Sequence, residues 1–290
     1  MRLILLFLLL CAAPDLRAER PIPFTVTTQW LSEHMNDKDL VILQTGFSRN
    51  EFAYAHIPNA RFLWFYALAP VTPDLNTEMP APKEAVKALA ELGITDRSRI
   101  VLVFTGQNVA TTTRMFLALS QFGYGERTAL LDGGLEAWKN EGREVAKGVV
   151  PVKRTAPKAA ATASVITDAE WVKRHLRDTT VTIVDARTKN FYDGNGGGIA
   201  REGHIAGAKN LVFNTLLDST GRMKPAAELQ RLFDEAGIVR GTTVVSYCHV
   251  GQQATVVYFA ARLLGYDAKV YDGSFEDWNV RDESYPVEKK

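Results

Sequence analysis
The chain has 290 residues, 46% hydrophobic and 23% charged, an ordinary globular composition with length for two modest domains. Its formal net charge is +1, with acids and bases mixed along the chain. Such a balance carries no electrostatic footprint for nucleic acid or an anionic membrane, and excludes both as partners.

The first element in chain order is Met1-Arg2 followed by the apolar run Leu3 to Leu10. One positive charge before an apolar stretch far short of the roughly 20 residues that span a bilayer predicts a secretory signal peptide over residues 1–18. Cleavage after Ala13 or Ala18 fits. A lipoprotein anchored at Cys11 is the weaker reading, because bulky Leu10 stands where such sites carry a small residue. The expected location is the periplasm or the exterior, with no membrane contact beyond the signal peptide. Removal of this segment takes away one of the two cysteines and leaves Cys248 alone. No internal disulfide is then possible in a compartment where thiols are normally paired or oxidised. A lone thiol there is either buried and inert or kept for its reactivity.

The remainder reads as two copies of one domain: an N-terminal domain over 24–145, a linker rich in Ala, Lys and Pro over 146–163, and a C-terminal domain over 164–287. "AHIPNARFLWF" from Ala55 returns as "GHIAGAKNLVF" from Gly203, "RMFLALSQFGY" from Arg114 as "VVYFAARLLGY" from Val256, and "LLDGGLEAW" from Leu130 as "VYDGSFEDW" from Val270. In the second copy, Thr167 and Glu170 form a capping box for a helix to about Leu176. Val181 to Val184 is a strand, Pro225 opens a helix to about Glu235, and Val244 to Tyr247 is an apolar strand. A helix over Ala254 to Leu264 stops at Gly265, Lys269 to Tyr271 is another strand, and a last helix begins at Phe275. Strands alternating with helices of about ten residues predict parallel βαβ units. The fold class is α/β, two tandem domains, each a mostly parallel sheet flanked by helices on both faces.

Cys248 stands where the Val244–Tyr247 strand gives way to a helix, and in such sheets ligands collect at the carboxyl ends of strands. The loop Cys248-His249-Val250-Gly251-Gln252-Gln253 leads straight into that helix. Successive backbone amides and the helix dipole favour a thiolate there, and Gly251 lets the chain bend back without a Cβ. A cysteine beside an apolar strand is often only a small core hydrophobe. The polar residues that follow it, the lack of a partner cysteine and its place at the binding edge favour the reactive reading.

The duplicated halves, "VDAR" at Val184, "GHIAGA" at Gly203, the Cys-x-x-Gly loop at Cys248 and "YDGSFEDW" at Tyr271 resemble the tandem-domain rhodanese family of thiosulfate and mercaptopyruvate sulfurtransferases. The resemblance runs from about Phe24 to Val287. It implies a thiosulfate sulfurtransferase, with mercaptopyruvate possible as donor: the C-terminal cysteine takes a sulfane sulfur from thiosulfate or a related small-molecule donor, holds it as a persulfide and passes it to cyanide or a thiol. No metal or organic cofactor is implied. Independently, a persulfide is an anion that amide donors can stabilise. Gln252 or Gln253 is expected to hydrogen-bond a donor's oxygens, whereas His249 reads as a loop bystander.

Asp185 and Arg187 are, by the resemblance, supports of the loop; His56, His204, Asp272 and Trp278, matched in both halves, read as structural. In the first half, Thr105 or Gly106 faces Cys248, and Gln44 and Gly46 replace Asp185 and Arg187, so that domain is expected to be catalytically silent and to form one wall of the cleft. Better-known relatives place arginines after the Asp-x-Arg element and before Gly-His. Here Phe191 takes the first place and Arg201 lies three residues before His204, so Arg201 or Lys189 is left to supply that charge. Asp193 to Gly198, "DGNGGG", lacks the Lys-Ser/Thr that a P-loop requires. Phosphatases and arsenate reductases of the same fold close the loop with an arginine six residues after the cysteine, where this chain has Ala254; a non-catalytic sulfur carrier is the remaining alternative.

Overall fold
A computed structural model describes residues 20–149, 151–158 and 164–290. The predicted signal peptide, residues 1–18, lies outside the described residues, as does part of the linker. Five strands, β1 (Thr25–Val26), β2 (Leu40–Gly46), β3 (Arg61–Trp64), β4 (Arg99–Val103) and β5 (Thr128–Leu131), form the first sheet in the order β1-β5-β4-β2-β3. In the second half β6 (Ile166–Thr167), β7 (Val181–Asp185), β8 (His204–Ile205), β9 (Lys209–Asn210), β10 (Thr243–Tyr247), β11 (Ala268–Tyr271) and β12 (Val287–Glu288) repeat the plan. Their main sheet has the order β6-β11-β10-β7-β9, while β8 and β12 make an antiparallel ribbon. Every pairing within the two five-stranded sheets is parallel.

The helices of the first half are α1 (Thr28–His34), α2 (Arg49–Tyr54), α3 (Pro82–Glu91), α4 (Val109–Gln121) and α5 (Gly134–Asn140). Those of the second are α6 (Ala169–Arg174), α7 (Lys189–Tyr192), α8 (Ala226–Glu235), α9 (Ala254–Leu263) and α10 (Ser274–Val280). None of the described helices is long and apolar enough to cross a membrane. Alternate residues of each central strand enter different cores, as a two-sided sheet requires. Ile100 and Leu102 join one apolar cluster, Val101 and Val103 another. In the second half Val244 and Val270 face one side, Val245 and Tyr271 the other. The capping box is corrected by one residue: Asp168, not Thr167, caps α6 by accepting from the Trp171 amide at 2.8 Å. Thr167 is held in β6, and Glu170 accepts instead from the Tyr285 hydroxyl.

One apolar cluster runs through both halves without interruption, because α4 packs on α9. Phe116 meets Phe259 edge to face at 4.8 Å, and the hydroxyls of Thr113 and Thr255 are 2.7 Å apart. Burying each such phenylalanine contributes about 2–3 kcal/mol, which makes the domain junction part of the core. The linker is not free chain either. Thr155 donates from its amide to Ala90 at 3.1 Å and the Lys158 amide to Asp96 at 2.8 Å, strapping it along the N-terminal half.

Candidate active site
Cys248 follows the last residue of β10, a central strand with β11 on one side and β7 on the other. The residue is 1% exposed and belongs to the apolar core cluster, so the thiol is buried against apolar side chains rather than on open surface. Its backbone is pinned from both sides. The Cys248 amide donates to Ser274 Oγ at 3.2 Å, and the Cys248 carbonyl accepts from the Phe275 amide at 3.0 Å. Ser274 holds a left-handed φ of 51° at the position where the first half has Gly134. Its hydroxyl, which glycine lacks, is the acceptor for the Cys248 amide and donates to the Tyr271 carbonyl at 2.9 Å.

Past the cysteine, the amides of His249 to Ala254 have no acceptor among the described residues. Backbone donors are almost always paired in folded proteins, so such a run is a ready site for an anion. In the equivalent loop of the first half the run is shorter: Thr105 to Gln107 have no acceptor among the described residues, but Asn108 donates to Thr105 at 3.3 Å and Val109 to Gln107 at 3.0 Å. Register also corrects the expected counterpart of Cys248. Gln44 pairs with Val103 as Asp185 pairs with Tyr247, and the Leu135 amide donates to Phe104 as the Phe275 amide does to Cys248. Phe104 therefore occupies the cysteine's position, not Thr105 or Gly106, and the loop before α4 is one residue shorter than that before α9.

Under the loop, Arg187 and Asp185 are both fully buried and paired, Nη2 to Oδ2 at 2.6 Å. Arg187 Nη2 also donates to the Gly203 carbonyl at 2.6 Å, and its guanidinium lies 4.0 Å from the Phe275 ring centre. Burial works against this cation, and the Asp185 carboxylate more than offsets it. Tyr247 donates to Asp185 Oδ2 at 2.7 Å and accepts from the Ile205 amide at 3.0 Å; burial, then the Asp185 charge, keep it a neutral phenol. Together these residues brace β7, β10 and the Gly203 segment below the loop. His56 and His204 are buried, each with Nδ1 on a carbonyl of the preceding helix, at 2.9 and 2.7 Å.

At the rim, Phe191 stands edge to face on His249 at 4.4 Å. Burial first, and then the charge of Arg187, hold the imidazole below its ordinary pKa, so it is neutral at pH 7. Gln252 and Gln253 are half-buried, and their side-chain amides have no partner among the described residues. Neither proposed cation serves the rim. Arg201 donates to the carbonyls of Trp278, Asn279, Asp282 and Tyr285, and Lys189 pairs with Asp193 at 2.5 Å. Arg201 is thus a brace for the end of α10.

The N-terminal half contributes contacts that sequence reasoning missed. Thr77 donates its hydroxyl to the Val250 carbonyl, and the Met79 amide donates to Asp272 Oδ2 at 2.9 Å. Asn76 donates twice to Glu276, from its amide at 2.9 Å and its side chain at 2.6 Å. From α4, fully buried Arg114 pairs with Asp272 and reaches the Gly251 carbonyl at 3.5 Å. Asp272 is structural as expected, but across the domain boundary. An arginine inside the apolar run of α4 was the one available signal, since a buried charge requires a partner.

Comparison with known proteins agrees with this architecture. The rhodanese-like domain profile matches residues 27–141 and 168–281. A probable 3-mercaptopyruvate sulfurtransferase of Pseudomonas aeruginosa is 30% identical, over 90% of this chain and 96% of that one. Thiosulfate/3-mercaptopyruvate sulfurtransferase 1 of Arabidopsis thaliana is 29% identical, over 91% and 77%. The crystal structure of SseA from Escherichia coli, described as a 3-mercaptopyruvate sulfotransferase, superposes with a TM-score of 0.79 at 26% identity, covering 87% of this chain and 99% of that one. With two matched domains, two copies of one parallel sheet and a cysteine at the end of the second copy's central strand, the chain belongs to the rhodanese-like family.

Proposed function
We propose that the protein is a sulfurtransferase working through a persulfide on Cys248. The observation that carries the reading is the run of acceptor-free amides from His249 to Ala254 directly after the cysteine. With thiosulfate, the Cys248 thiolate attacks the outer sulfur, the S–S bond breaks and its electron pair leaves on sulfite. With mercaptopyruvate, the C–S bond breaks instead, and the pyruvate enolate takes up a proton. A thiolate or cyanide then attacks the terminal sulfur and Cys248 departs as thiolate. The amide donors stabilise the anionic persulfide between the two steps, and the pair Asp185–Arg187 holds the loop in place from beneath.

The site favours mercaptopyruvate, a monoanion, over dianionic thiosulfate. Phe191 stands on His249, the imidazole is neutral, and Arg201 is bound to backbone carbonyls. The names of the relatives point the same way. We also propose that residues 1–18 direct export, which N-terminal sequencing of the protein recovered from a periplasmic fraction tests. For the chemistry, the protein is incubated with each donor and its intact mass measured, then cyanide is added and thiocyanate assayed. One sulfur is expected on Cys248, lost in Cys248→Ser and discharged by cyanide. Failure of every donor to load would sink the proposal, and loading without discharge to any acceptor would make the protein a carrier.

A further inference from the structure
The segment from Pro70 to Met79 belongs to the silent domain, yet its bonds go to the active loop and its surroundings. Thr77, held at a left-handed φ of 53°, binds Val250, and Met79 binds Asp272. Between them stands Glu78. Its Oε1 is buried without a hydrogen-bond partner, and so are Nε and Nη2 of Arg114. The charges that act on Glu78 are Asp272, Asp277 and Glu276 from the C-terminal half and Arg114 from α4. Arg114 is already paired with Asp272, and Asp277 with Arg281 at 2.9 Å.

We propose that Glu78 is a specificity residue through which the N-terminal domain sets the charge of the donor that the Cys248 loop accepts. This rests on the sulfur-transfer reading and deepens it. Protonated, Glu78 leaves the loop open to anionic donors; ionised, it adds a fourth carboxylate to a neighbourhood with one buried arginine. Burial, reinforced by Asp272, pushes its pKa up to about 7, so the exchange falls in the physiological range.

The test is alkylation of Cys248 by anionic iodoacetate and neutral iodoacetamide, read by peptide mass in the full chain between pH 6 and 8.5. The ratio of the two rates cancels thiolate fraction and access, and leaves the local potential. A unit charge one Debye length away, about 8–10 Å, changes an anion's rate about three- to fivefold in an effective dielectric of about 40–60. The ratio is therefore expected to fall about three- to fivefold with a midpoint near pH 7, and to stay flat across that midpoint in E78Q. His249 titrates below its usual range and is common to both proteins. An equal fall in E78Q, or no fall in the wild type, overturns the proposal. Should E78Q misfold, shown by an iodoacetamide rate far above wild type, the side-chain carboxyl carbon of Glu78 is followed by NMR in the wild type. Its midpoint must coincide with that of the ratio, and a separation of a full pH unit overturns the assignment. Alkylation uses no sulfur donor, so its outcome is distinct from failure of persulfide loading.

Discussion

Gly251 and Gly106 occupy the loops that precede α9 and α4, and the pair isolates what the active loop demands of its backbone. Both have left-handed φ, 78° and 58°. A Cβ on Gly251 would lie 2.6 Å from the Asp272 carbonyl oxygen, whereas one on Gly106 would meet nothing within 4 Å. Alanine in the left-handed region costs about 1–2 kcal/mol at either place. At Gly251 the forced shift of a backbone carbonyl adds about 1–3 kcal/mol, the usual range for overpacking. Gly106→Ala should therefore lower the unfolding midpoint by about 2–4 °C and Gly251→Ala by about 4–10 °C, at roughly 2 °C per kcal/mol for a chain of this size. Relief of the contact moves the amides that follow Cys248, so Gly251→Ala should also load sulfur at least about tenfold more slowly, while Gly106→Ala loads normally. Scanning calorimetry and persulfide mass analysis on the same preparations measure both. Equal midpoints with full loading in Gly251→Ala would refute the claim that the loop is shaped by its contact with Asp272.

Two further outcomes concern the domain boundary. Arg114→Met strands the Asp272 carboxylate and should cost about 3–5 kcal/mol. Adding Asp272→Asn should restore at least about 1 kcal/mol of this in a urea-unfolding cycle, and strict additivity would mean that the pair is not coupled. The second outcome is a pH dependence. The folded-state pKa of Glu78 is raised from 4.5 to about 7, so its contribution is whole below pH 4.5 and is lost as pH rises through 7. Its partial exposure reduces the effect to about 1–2 kcal/mol, so E78Q should melt about 2–4 °C above wild type at pH 8 and nearly with it at pH 4.5; a constant gap across that range would contradict the assignment.

The parts of this protein legible in its sequence are those fixed by local pattern. Two-sided apolar strands, ten-residue helices and the same motifs in the same order twice were enough for two parallel sheets, and an apolar strand ending in a cysteine was enough to place Cys248 at the end of β10. Where two adjacent residues could do one job, local pattern failed by one position. Asp168 and Thr167 can both cap a helix, and a one-residue shortening of the first loop hid the match between Phe104 and Cys248. What could not be read were partners brought together only by docking: Thr77 and Val250 are 173 residues apart, Arg114 and Asp272 158. These unread contacts give the N-terminal domain a place beside the Cys248 loop. Its own loop has Phe104 in the cysteine's place and takes up the amides of Asn108 and Val109 in a turn, yet the domain contributes Arg114 to Asp272 and Gly251, Thr77 to Val250 and Glu78 to their surroundings. On the proposed mechanism, a loop that keeps its amides unpaired to receive an anion cannot stabilise itself through them. The support has to come from outside it, and here the first copy of the domain supplies it through the carbonyls and carboxylates that the second presents at the boundary.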